Sequence, residues 1–79
     1  MSADDYCRLL LDGACATTPP SGFTIPYANM GACVSAYNGL MTNAVRMCRS
    51  YHLCNAFSMA LNPHCFHSIG MMGLCPDQP

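Results

Sequence analysis

Lysine, glutamate and tryptophan are all missing from this 79-residue sequence. The charges it does carry are Arg8, Arg46, Arg49, Asp4, Asp5, Asp12 and Asp77, or 9% of the chain, against roughly 25% in an average soluble domain. With a net charge of −1 there is no electrostatic footprint for nucleic acid or an anionic membrane. No apolar run approaches the roughly 18–20 residues that span a bilayer, so the chain is not expected to be membrane-spanning. The N-terminal MSADDYC is polar and acidic, which is not the composition of a signal peptide. If the protein is exported, its leader has been removed or replaced by Met1.

Several chemical motifs are absent too. There is no C-x-x-C redox pair, no C-x-x-C-H for covalent haem attachment, no H-E-x-x-H, and no carboxylate pair suited to acid–base work. A dyad of Cys54 with His52 fails on helical spacing, because i, i+2 side chains diverge. Cys65 beside His64 or His67 reads as a structural half-cystine. The chain is therefore expected to be non-enzymatic.

What is present is cysteine: seven, at 7, 15, 33, 48, 54, 65 and 75. They are spread along the chain without the tight pairs of zinc modules. A short chain this rich in cysteine has the composition of a disulfide scaffold, and so small a domain buries too little surface to be secure without staples. This points to an extracellular or other oxidising compartment: a periplasm, an organelle lumen or an intermembrane space. Reduced thiols in a Cys/His metal site are the competing reading. Three disulfides and one leftover thiol allow about 105 arrangements. Helix placement favours Cys7–Cys33, closing a loop worth roughly 3–4 kcal/mol in the chain-entropy model, with Cys15–Cys48, Cys65–Cys75 and Cys54 as the odd thiol.

The expected fold is all-α. One domain, residues 1–79, forms a small disulfide-stapled three-helix unit with an irregular C-terminal strap. Ser2 followed by Asp5 starts a helix over 3–12, with Cys7, Leu10, Leu11 and Ala14 as its stripe. Asp12-Gly13 stops it, glycine accepting a left-handed conformation. Residues 17–22 are a breaker cluster and hence a loop. Asn29 caps a second helix over 30–37, ended by Asn38-Gly39 in the same way. Thr42 caps the longest, over 43–61, which has no single apolar stripe and is therefore contacted on more than one side. Asn62-Pro63 ends it and introduces a short turn carrying His64, Cys65 and His67. The segment 69–74 is an apolar, glycine-hinged loop.

All three histidines fall within sixteen residues: His52, His64 and His67. Imidazole is the commonest metal ligand. His64 and His67, at i, i+3, share a face of a helical turn, and His52 approaches them if the C-terminal segment folds back along the third helix. Met59, Met71 and Met72 add soft thioethers. This set suits a transition metal, copper or zinc, or an axial position of haem. The bland alternative is that the histidines are hydrogen-bonded packing residues and the methionines gap-fillers.

Cys48-Arg49-Ser50-Tyr51-His52-Leu53, Ala56, His64-Cys65-Phe66-His67, Gly70 and Cys75 together resemble a motif of small exported Cys/His-rich domains in lipoprotein-like and secreted proteins of bacteria and some microalgae. The resemblance spans about residues 27–75 and is most specific over 48–75. It implies export, disulfides, and histidines that belong to the motif. Those domains also carry cysteines four apart on their first two helices; the matching positions here hold Ala3 or Leu11 and Tyr37, which implies one cross-link fewer.

Seven charges cannot coat so small a domain, whose surface usually carries about 25–35% charged residues. Phe23, Ile25, Tyr27, Met30, Met41, Tyr51, Phe66, Ile69, Met71, Met72 and Leu74 outnumber the positions of a small core, so some should form an apolar association patch. Arg46 and Arg49, at i, i+3, could clamp a carboxylate of a neighbouring subunit. The leading expectation is a structural subunit that packs against itself, as a homo-oligomer or polymer, or against other subunits. Its interface is expected at Arg46, Arg49, Phe66, Ile69, Met71 and Met72. The alternative is a small metal- or haem-binding protein using His52, His64 and His67. A toxin-like effector is a third class, for which only Arg46 and Arg49 offer a hot-spot surface.

Overall fold

A computed structural model describes residues 1–40, 42–58, 60–71 and 75, with Ser58 described for its backbone alone. Among the described residues the fold is all-helical. Its segments are α1 (Ala3–Asp12), α2 (Ala14–Thr17), α3 (Met30–Asn38), α4 (Asn43–Ser58) and α5 (Leu61–Ser68). The three expected helices are α1, α3 and α4; α2 is a single turn, and α5 is the turn that carries His64, Cys65 and His67. No described helix is long and apolar enough to cross a membrane.

Short polar side chains set the helix starts. Ser2 Oγ accepts the Asp5 N–H at 3.1 Å, Asn29 Oδ1 accepts that of Ala32 at 2.9 Å, and Thr42 Oγ1 accepts that of Val45 at 3.2 Å. Each satisfies a backbone donor that the first turn leaves open. Helix α4 ends at Ser58, earlier than expected, and Ala60 is extended at φ −158°. In α5, Asn62 departs from helical angles (φ −107°, ψ 124°), and the Asn62–Pro63 peptide is cis.

The two expected glycine stops work differently from the left-handed termination expected of them. Gly13 and Gly39 have φ of −86° and −82°, so neither adopts the left-handed conformation. Gly13 is instead required for space. A β-carbon there would lie 2.3 Å from Leu9 O and 2.5 Å from Cζ of Phe57. The missing side chain lets α4 close on the α1–α2 junction.

Three disulfides staple these helices: Cys7–Cys33 joins α1 to α3, Cys15–Cys65 joins α2 to α5, and Cys48–Cys75 joins α4 to residue 75, while the rest of the expected strap, 72–74 and 76–79, lies outside the described residues. Their sequence separations of 26, 50 and 27 residues make each worth roughly 3–4 kcal/mol as a constraint on the unfolded chain. Three intramolecular bridges fit an oxidising environment. Cys7–Cys33 matches expectation, and Cys54 belongs to none of the three bridges. The expected Cys15–Cys48 and Cys65–Cys75 pairs are replaced. Gly13 meets Phe57, so Cys15 lies toward the C-terminal end of α4; nine residues of helix separate Phe57 from Cys48, roughly 14 Å. A disulfide tolerates less than about 7 Å between α-carbons. Cys15 meets Cys65 instead, because α5 doubles back along α4.

The core gathers Tyr6, Leu10, Phe23, Tyr37, Leu40, Val45, Leu53 and Ala56 around the half-cystines. Tyr6 and Tyr37 stack with ring centroids 4.4 Å apart. Phe23, one of the apolar residues of which some were expected in an exposed patch, is buried and meets Phe66 edge-on at 5.3 Å.

Candidate metal centre

Helices α4 and α5 make the most extensive interhelical packing of the molecule. His52 lies in the middle of α4, and His64 and His67 stand one turn apart on α5. The condition attached to the three histidines is therefore met: the C-terminal segment folds back, and the imidazoles converge. Ring centroids are 5.3 Å apart for His52–His64, 4.8 Å for His52–His67 and 6.2 Å for His64–His67. Nδ1 of His52 lies 3.1 Å from Nδ1 of His64. One ligand nitrogen from each of the three rings lies within 4.8 Å of the other two.

Two neutral imidazoles can face each other Nδ1 to Nδ1 only if one donates and the other accepts, so the rings hold different tautomers. Burial first, then the neighbouring His67 and His64, holds His52 below its ordinary basicity. Burial first, then His64, does the same for His67. Both effects favour the neutral form, which is the one that ligates metal. Nδ1 of His67 is shut off from solvent and has no hydrogen-bond partner, an arrangement that ordinarily costs about 1–3 kcal/mol. Tetrahedral zinc, with nitrogens at about 2.0–2.1 Å, holds its ligand atoms roughly 3.3 Å apart. The His52–His64 separation is close to that, and small side-chain rotations would bring in His67. A haem between His52 and His64 would need them on opposite faces of its ring, and their facing Nδ1 atoms at 3.1 Å leave no room for one.

No protein-family model, curated protein or solved structure matches the chain. The resemblance carried by residues 48–75 therefore brings no relative whose chemistry could be transferred.

Helix α5 is fixed from behind as well as along α4. The Tyr6 hydroxyl donates to the Ser68 carbonyl, and Ser68 Oγ donates to the Cys65 carbonyl at 2.7 Å. Burial, reinforced by Tyr27 and Tyr37 against the opposing charge of Arg49, pushes the Tyr6 phenol well above its ordinary pKa, so it stays a donor. With Cys15–Cys65 this sets the rotation of α5 and hence the aim of His64 and His67.

A second donor group lies beside the first. Donor atoms of Cys48, His52 and Cys75 are also mutually within 4.8 Å. Cys48 and His52 share a face of α4 at i, i+4, a legible signal; that Cys75 joins them was hidden by the misassigned disulfides.

The expected interface residues divide. Arg49 is no exposed clamp: it is 3% exposed, and its Nε donates to the Cys75 carbonyl at 2.9 Å. Arg46 is half-buried and donates from Nη1 to the Leu40 carbonyl at 2.7 Å. Each arginine thus binds backbone of its own chain. Phe66 and Ile69 are half-buried against the core, while Met71 is exposed. Met72 lies outside the described residues, as do Met41, Met59 and Leu74. Ile25 and Tyr27 are half-buried; Met30 and Tyr51 are exposed.

Proposed function

We propose that this protein is a small, non-enzymatic metal-binding module of an oxidising compartment, holding one zinc or copper ion on His52, His64 and His67. The observation that carries this reading is the convergence of the three imidazoles from two cross-braced helices, with two nitrogens already at a separation close to that of ligands on one ion. The set is carried on two helices that pack on each other and are tied down by Cys15–Cys65 and Cys48–Cys75, so little ordering entropy opposes binding.

Titration of the oxidised protein with zinc, followed by NMR of the imidazole signals and by metal analysis, tests it. One equivalent should bind and shift all three histidines. His52→Ala, His64→Ala and His67→Ala should each weaken binding by more than about 100-fold while leaving the helical spectrum intact. A protein that stays metal-free, with unmoved imidazole signals, overturns the reading.

A second reading is self-association, and one observation favours it. Met47 and Tyr51, at i, i+4 on α4, are 62% and 65% exposed, the most uncovered of the large apolar side chains among the described residues. A second copy is the partner, because packing this face on its own equivalent buries apolar area without stripping water from a charge. Sedimentation tests it: a concentration-dependent dimer that Tyr51→Lys dissociates supports it, and an 8.5 kDa species at all concentrations excludes it.

A further inference from the structure

The donors of Cys48, His52 and Cys75 approach one another as closely as the three imidazoles do, yet the two sulfurs are joined to each other. We propose that the Cys48–Cys75 disulfide masks a second metal site, which reduction opens as two thiolates beside His52. The inference shares His52 with the three-histidine reading and is independent of His64 and His67.

The balance is simple. A dithiol reductant passes two electrons and two protons to the bridge. The S–S bond breaks, Cys48 and Cys75 become thiols, and the dithiol closes to its own disulfide. On metal binding each thiol gives its proton to solvent, and the ion gains two sulfur ligands and one nitrogen, leaving a position for water. Thiolates are softer than imidazole and favour zinc and copper(I) more strongly. Reduction would thus move the ion from a nitrogen set to a tighter sulfur set through the residue common to both.

Two features keep the opened site together. Arg49, next to Cys48 on α4, donates from Nε to the Cys75 carbonyl at 2.9 Å, so a hydrogen bond holds residue 75 against α4 when the covalent bond is gone. Gly70 leaves the space this requires: a β-carbon there would come within 2.3 Å of an Arg49 terminal nitrogen and 2.7 Å of the Cys75 carbonyl. The guanidinium also brings positive charge against the backbone of Cys75. Cys48 is half-buried, whereas both sulfurs of each of the other bridges belong to fully buried residues, so a reductant meets Cys48–Cys75 first.

The test uses cobalt(II), whose sulfur-to-metal charge-transfer bands report thiolate ligands. The full chain is treated with a limiting phosphine reductant, which does not itself supply sulfur, and reduced cysteines are mapped by alkylation. Oxidised protein should show no charge transfer. Reduced protein should show it at one cobalt per chain, hold the ion about tenfold or more tighter, and protect Cys48 and Cys75 from alkylation until a chelator is added. The double variant His64→Ala/His67→Ala should keep this reduced-state site while losing the oxidised one, which separates this inference from the three-histidine reading. Three results would overturn it: no charge transfer in a reduced, still helical protein; charge transfer that survives Cys48→Ser/Cys75→Ser; or opening of all three bridges together with loss of the helical signal.

Discussion

The Nδ1 atoms of His52 and His64 face each other at 3.1 Å across the α4–α5 contact, twelve residues apart in the chain. When both rings are neutral, a single proton is shared between them. Any event that adds a second proton or replaces the first with a metal ion must act on the packing of these two helices.

Acid should therefore destabilise the metal-free fold. His52 and His67 both have folded-state pKa values below their ordinary 6.5. As pH falls through about 6.5 the unfolded chain takes up protons that the folded chain resists, so stability declines with falling pH until the folded-state values are passed. Thermal melts between about pH 8 and pH 5 should show Tm falling on the acid side. The decline should be shallower in His52→Gln and His67→Gln. A flat profile in the parent protein contradicts the coupling.

Gly13→Ala should cost about 1–3 kcal/mol, because its β-carbon overlaps both the Leu9 carbonyl and the Phe57 ring. Phe57→Ala should relieve part of the penalty in a double-mutant cycle, since the ring is only one of the two obstacles. Urea unfolding of the four proteins measures this, and purely additive effects would show that α4 does not close on Gly13.

Arg49→Met preserves much of the stem but removes the donor that meets the Cys75 carbonyl. A loss of about 2–4 kcal/mol is expected by equilibrium unfolding. Arg46→Met, which removes a half-buried contact to the Leu40 carbonyl, should cost less. Equal effects would mean that Arg49 does not anchor residue 75.

Peptide mapping of the non-reduced protein should recover Cys7 with Cys33, Cys15 with Cys65, and Cys48 with Cys75. Removing Cys15–Cys65 should destabilise slightly more than removing Cys48–Cys75, by about 0.5 kcal/mol from loop length alone. A Cys15–Cys48 peptide would contradict the antiparallel course of α5 on α4.

Much of the helical framework was legible before any coordinates. Ser2, Asn29 and Thr42 cap where their local spacing places them, because a cap depends on three or four consecutive residues. The buried face of α4 was not, although it is regular. Val45, Arg49, Leu53 and Ala56 are all buried at helical spacing, and the arginine in their midst breaks the apolar pattern. A charge reads as solvated from sequence, whereas in the fold a carbonyl delivered from residue 75 helps to satisfy it in the interior.

The sequence by itself determined a helical chain, the placement of its three main helices, and the histidines that would meet if the chain turned back. These follow from composition and from interactions within one or two helical turns. The tertiary structure alone decided that α5 runs antiparallel on α4. That one choice of direction carried Cys65 to Cys15, brought Cys75 to Cys48 and Arg49, and set His64 and His67 against His52. Such pairings are fixed by close packing across tens of residues, which no local pattern encodes.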